Sequence, residues 1–152
     1  MKCSVRNPRT KKQAPNKISN PKKPRSNKFK LESSNKKYDL EERTAAFAER
    51  IRDFCLKLPK NIANTEYIPQ LLRAGSSPGA NYIEANETIG DKDFKMKIKT
   101  CRRESKESRY WLRLVVTDKT VEMENERKSL MQEAKEFVLI FTAILKARDQ
   151  KD

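Results

Sequence analysis

Apolar and small residues recur along the second two-thirds of the chain in alternating steps of four and three, the signature of a helix with one buried stripe. The first such stripe is Leu40, Thr44, Phe47, Ile51, Phe54 and Leu58. Asp39 stands where an N-cap belongs, with Glu42 at the reciprocal capping position, and Pro59 disfavours helical geometry at the residue before it. A second helix is predicted from Thr65 or Glu66 to about Ile89, with a stripe of Ile68, Leu72, Gly75, Gly79, Tyr82/Ile83 and Asn86. Pro78 removes a backbone donor inside it, so a kink or brief interruption is expected over residues 75–80. The small residues there would let a neighbouring helix come close.

Gly90-Asp91 reads as a break, Gly90 as a C-terminal cap and Asp91 as the next N-cap. The third stripe is Phe94, Ile98, Cys101, Ser105, Ser108, Leu112 and Val115. The fourth segment is expected from about Asp118 to Arg148, with Val121, Leu130, Ala134, Phe137/Val138, Phe141 and Ile144/Leu145 inward. Its first half is weaker, crowded by Glu122, Glu124, Glu126, Arg127 and Lys128. Four long segments with short connections predict an all-α fold, an antiparallel up-down four-helix bundle over residues 38–152.

Charge divides the chain differently. Residues 1–37 carry 13 Lys/Arg against Glu32 alone, a net of +12. Their few apolar residues have no period, and Pro8, Pro15, Pro21 and Pro24 interrupt them. Such a segment buries too little to offset its ordering entropy, which predicts a disordered basic N-terminal arm. Pro21-Lys22-Lys23-Pro24-Arg25 has the look of a nuclear import signal, a pattern that short basic runs match by chance. The bundle segment is nearly balanced at +2. Its exception is residues 92–113, where nine basic residues face three acids. Lys95, Lys99, Arg102, Arg103, Lys106, Arg109 and Arg113 fall on one side of the third helix, with Tyr110 and Trp111 near its end. Cations at that spacing can hold phosphates while an aromatic face meets a base. The competing reading is a solvated face, or one paired with acids of the fourth helix or of another subunit, with both aromatic rings packed. With Lys22, Lys23 and Arg25 of the arm, these are the candidate nucleic-acid contacts.

Antiparallel pairing about Gly90-Asp91 would set Arg73 opposite Glu104 or Glu107, Asn81 opposite Cys101 and Ser105, and Glu84 opposite Lys97 and Arg102. This seam reads first as register-setting structure, and otherwise as a polar pocket or subunit contact. Glu84/Glu87 and Glu104/Glu107 repeat a three-residue spacing that suggests a carboxylate metal site. The chain has no histidine, however. That removes the His half of the usual di-metal bundle motif, the commonest general base, and every Ser-His or Cys-His pair. Gly75 and Gly79 are not followed by the Lys-Ser or Lys-Thr of a phosphate loop. No enzyme, metal or cofactor is expected. No run approaches the ~18 apolar residues of a membrane span. Neither a secretory signal nor a disulfide framework is visible, since Cys3, Cys55 and Cys101 are odd in number and far apart. The compartment expected is the cytoplasm.

Three blocks in order carry a resemblance. They are Tyr38-Asp39-Leu40-Glu41-Glu42-Arg43-Thr44 through Phe47–Phe54 with Leu58-Pro59-Lys60, then Leu71–Glu87, then Cys101–Leu114. Over roughly 38–147 the chain resembles the four-helix bundle proteins encoded in intervening sequences of bacterial 23S ribosomal RNA genes, the S23 type. Residues 1–37 lie outside the match. The resemblance implies a bacterial cytosolic protein, a homopentameric barrel, and kinship with accessory proteins of diversity-generating retroelements, which bind nucleic acid and a reverse transcriptase. It implies no enzymatic activity. The function expected is a non-enzymatic bundle binding nucleic acid, RNA first; the alternative is a protein–protein adaptor or accessory subunit without direct nucleic-acid contact.

Overall fold

Asp39 turns the chain into the first helix by accepting hydrogen bonds from the amides of Glu41 (3.1 Å) and Glu42 (3.4 Å), which satisfies two of the donors a helix start leaves open. The computed structural model describes residues 39–150. They form α1 (Leu40–Lys57), α2 (Ile62–Glu87), α3 (Asp91–Leu114) and α4 (Val121–Asp149). Each helix packs on its neighbours in sequence and α4 closes back on α1, so the arrangement is an up-down four-helix bundle. No strand occurs among the described residues.

The stripes expected for α1 and α3 are those that are buried, save that Phe94 at the start of α3 is half-buried. Phe47, Ile51 and Phe54 of α1, and Ile98, Cys101, Ser105, Ser108 and Leu112 of α3, are almost fully enclosed. From α4 come Leu130, Ala134, Phe137 and Phe141. Phe137 meets Phe47 edge-on at 5.2 Å and Phe141 at 6.2 Å, an arrangement that adds modestly to the area the rings bury. The hydroxyls carried into the core are satisfied locally. Thr44 donates to Leu40 O (2.8 Å), and Ser105 to Cys101 O (2.8 Å).

α2 corrects the sequence reading in three ways. It starts earlier, at Ile62, because Asn61 caps it by accepting from the Asn64 amide at 2.8 Å. Its inward face is Asn64, Leu71, Ala74, Gly75, Pro78 and Ala85, while Leu72, Ile83 and Asn86 are exposed. The expected stripe was therefore turned by about one residue, since larger apolar side chains were weighted above the small ones that fit the seam. Nor does Pro78 interrupt the helix, which is continuous through both Pro69 and Pro78. A helical proline forfeits one hydrogen bond, and packing of α1 and α3 on either side holds the segment regardless. Gly75 and Gly79 do allow the expected close approach. A Cβ on Gly75 would lie 2.5 Å from Ile51 Cδ1, and one on Gly79 would lie 3.1 Å from Thr44 Oγ1.

The helix ends differ in detail. Thr88 closes α2, its hydroxyl donating to Ala85 O at 2.8 Å, and Gly90 at φ −98° serves as N-cap of α3 with no left-handed turn. α4 begins at Val121 behind the Thr120 cap, with Met123 rather than the exposed Val121 inward. At the other end of the bundle a buried side chain links two loops. Asn64 donates to Pro59 O (2.8 Å) and Val116 O (2.9 Å) and accepts from the Val116 amide (2.8 Å).

Candidate nucleic-acid interface

Burial of Ile98, Cys101, Ser105 and Leu112 fixes the rotation of α3 and so determines which charges look outward. A single row along its outer side reads Lys92, Met96, Lys99, Arg103, Lys106, Tyr110 and Arg113, all exposed. Arg109 is exposed beside it, and Arg102 and Lys95 are half-buried on its flank. The candidate contacts within α3 thus share one side of the helix. Two are engaged. Lys95 bridges Asp91 (2.9 Å) and Asp149 (3.1 Å), and Arg103 holds Glu104 at 3.0 Å. Among the described residues, Lys99, Arg102, Lys106, Arg109 and Arg113 have no ion-pair partner. Among the described residues Asp149 is the one acid of α4 that meets this face, at Lys95 on its flank. Lys22, Lys23 and Arg25 lie outside the described residues, as does the expectation of disorder for residues 1–37.

Glu126, Glu133 and Glu136 of α4 serve α1 instead. Arg43 reaches Glu133 through Nε (2.6 Å) and Nη2 (2.9 Å), contacts Glu136 as well, and lies 5.3 Å over the Phe137 ring. Its hydrogen bonds to Glu133 push the guanidinium pKa upward against the opposing effect of burial, and its hydrogen bond to Glu136 holds that carboxyl below the usual range. Arg50 pairs with Glu126 and donates to Ser129 (2.8 Å). The sequence reading missed this seam, though a signal existed. Arg43 and Arg50 are seven apart on one helix, and Glu126 and Glu133 are seven apart on another.

The polar seam expected between α2 and α3 forms only at Glu84, which pairs with Lys97. Arg73 is exposed and donates to Gln70 (3.3 Å), so it meets neither Glu104 nor Glu107. Glu104 takes Arg103, and Glu107 accepts from Trp111 Nε1 at 3.1 Å. Asn81 bonds back to Ser77, while the Cys101 thiol donates to Pro78 O at 3.3 Å. Apart from Glu84 and the Cys101 thiol, each of these groups finds its partner within a turn of its own helix, at lower entropic cost than one across the seam.

The aromatic pair separates. Trp111 is half-buried against Tyr67 of α2 (5.8 Å), whereas Tyr110 remains 53% exposed. Cys55 and Cys101 are buried, and burial pushes both thiols up to about 12, so they stay protonated at neutral pH. A cleft of about 600 Å³ between α1 and α4 is lined by Arg50, Asp53, Lys57, Glu122 and Glu126 above Phe54 and Met123. Its main cation is already committed to Glu126. No cluster of three or more metal-ligating side chains occurs among the described residues, and none of their helices is long and apolar enough to cross a membrane.

Fold and surface together define an all-α four-helix bundle with one helix face rich in cations. The chain belongs to the 23S rRNA-intervening sequence protein family, whose model matches residues 36–143. Among solved structures it is similar to a protein of unknown function from the S23 ribosomal protein family of Bacteroides thetaiotaomicron, at 28% identity and a TM-score of 0.61. That match covers 70% of this chain and 98% of the other. No curated protein matches the chain.

Proposed function

We propose that this chain is a non-enzymatic, cytoplasmic bundle that binds the phosphate backbone of nucleic acid, RNA foremost, through the outer face of α3 together with its basic N-terminal residues. The observation that carries this reading is the density of cations on one helix face: Lys99, Arg102, Lys106, Arg109 and Arg113 lie on and beside the outer row of α3 and have no ion-pair partner among the described residues. Unpaired cations in a row attract a polyanion and release its counterions on contact. The +12 of residues 1–37 adds to the same attraction. RNA is favoured by membership of a family whose genes interrupt ribosomal RNA genes. Family resemblance further supports self-association as a homopentamer, which light scattering would register as about five times 17.8 kDa.

The test is RNA affinity against salt. Each neutralised phosphate adds about −0.9 to the log–log slope on duplex and about −0.7 on a single strand. Replacing Lys99, Lys106, Arg109 and Arg113 by Gln in the full chain should flatten the slope by about 0.7–0.9 for each contact removed. Substituting Lys22, Lys23 and Arg25 measures the N-terminal share separately. Salt-independent or undetectable binding would reject the reading.

A protein–protein adaptor is the second reading. It is favoured by the exposed apolar side chains among the cations, Met96 at 62% and Tyr110 at 53%. Binding polyglutamate as tightly as RNA at matched charge and salt would support the adaptor.

A further inference from the structure

The outer row of α3 contains one large aromatic side chain set among cations. Tyr110 follows Lys106 by four residues and precedes Arg113 by three, so along the helix axis the backbone positions of these two basic residues lie about 6 Å to one side of it and about 4.5 Å to the other. The residue is 53% exposed. It is also backed. Trp111 meets it in a T-shaped contact at 5.1 Å, leans on Tyr67 of α2 at 5.8 Å, and is anchored by the Nε1–H donated to Glu107. Three rings thus run from the α2–α3 seam to the surface, and the last is supported from behind with much of its surface in water.

We propose that Tyr110 is a base-stacking platform and that the ligand of the basic face is an unpaired nucleic-acid strand. This rests on the phosphate-binding reading given above and narrows it to a ligand class. In a duplex the faces of the bases are hidden by their neighbours, and the A-form major groove is too narrow for side chains to read. An unpaired strand offers its base faces freely, and a base on Tyr110 would have its flanking phosphates within reach of Lys106 and Arg113. Stacking tolerates any sequence, because every base has a π-face. A ring already supported by Trp111 loses little freedom when a base covers it. Trp111 takes part only by holding Tyr110 in place.

Trp111 is the only tryptophan of the chain, so its emission reports on this position. The full chain is titrated with a mixed-sequence unpaired RNA strand, with its duplex, and with inorganic polyphosphate of matched charge, all at one salt concentration. The strand should bind most tightly and perturb Trp111 emission, and polyphosphate should bind without perturbing it. Tyr110→Leu should weaken the strand about five- to hundredfold and leave polyphosphate affinity unchanged, while Tyr110→Phe should keep wild-type affinity. Circular dichroism verifies that both variants fold, as an exposed side chain allows. Equal affinity for strand and duplex, or a Tyr110→Leu loss that is the same on polyphosphate, overturns the stacking platform and leaves phosphate binding standing. Failure of all three probes to bind overturns both.

Discussion

Gly75 has no side chain because Ile51 occupies the space where one would be. Alanine there would gain about 1 kcal/mol of helix propensity. It would also drive a methyl to 2.5 Å from Ile51 Cδ1 inside a closed core, and overpacking of this kind costs about 1–3 kcal/mol. Gly75→Ala should therefore lower stability by about 1 kcal/mol in denaturant unfolding. Ile51→Val removes the offending methyl and should cost less in the Gly75→Ala background than alone. Strictly additive losses would show that the two residues do not meet. Asn64 is the other position where one side chain matters beyond its size. Its amide satisfies both backbone groups of Val116 and the carbonyl of Pro59. Asn64→Ala leaves buried polar groups unmatched, at about 1–3 kcal/mol for such a group, and a lowered melting temperature should register it. The cysteines give a chemical readout. Cys55 and Cys101 are buried with thiols pushed up to about 12, so peptide mapping after alkylation should find both modified only once the chain is unfolded.

Among the elements, α1 was legible in the sequence because its buried positions carry large apolar residues, and α3 because Ile98 and Leu112, with small Cys101, Ser105 and Ser108 in step between them, stand out from a helix otherwise rich in charge. α2 was not, and the reason is physical. Its inward face is built of Ala74, Gly75, Pro78 and Ala85, which fit two close neighbours, whereas hydrophobicity alone ranks Leu72 and Ile83 higher. The α1–α4 seam was missed because its pairs join residues 76 to 93 positions apart, and the matching seven-residue spacings of Arg43/Arg50 and Glu126/Glu133 point to each other only once the two helices are known to be neighbours. That seam makes a pH prediction. The Glu136 carboxyl is held below its usual pKa chiefly by Arg43. A carboxyl depressed in the folded state contributes stability above its unfolded pKa and loses it as pH falls through the folded value. Stability should therefore decline below about pH 4.5, and Arg43→Met should make the acid limb shallower. Because Glu136 is largely solvated, the effect should be modest and weaker in high salt.

On the scale of the whole molecule, Glu126 and Glu133 of α4 face Arg50 and Arg43 of α1, Glu84 faces Lys97, and Lys99, Lys106 and Arg113 on the outer side of α3 have no ion-pair partner among the described residues. A net charge of +14 gives any polyanion a long-range attraction, and the local arrangement determines where it docks. Charge reversal of exposed basic residues on α1, such as Arg52, should reduce RNA association only through net charge. The same number of reversals on α3 should also remove contacts. Comparing the two sets at equal net charge measures how far the face itself matters, through the difference in salt slope.

The sequence by itself determined the four helices, the antiparallel bundle and the concentration of basic residues on the third helix, because these follow from local periodicity, caps and composition. Absence of histidine argued against the usual bundle chemistry at that same level. Tertiary structure alone decided which face of α2 turns inward, which acids pair with which bases, and that Trp111 packs while Tyr110 stays in water. Those outcomes depend on how closely neighbouring helices approach and on which partner lies nearer. Both are set by the fit of side chains distant in the chain, for which no local pattern is a substitute.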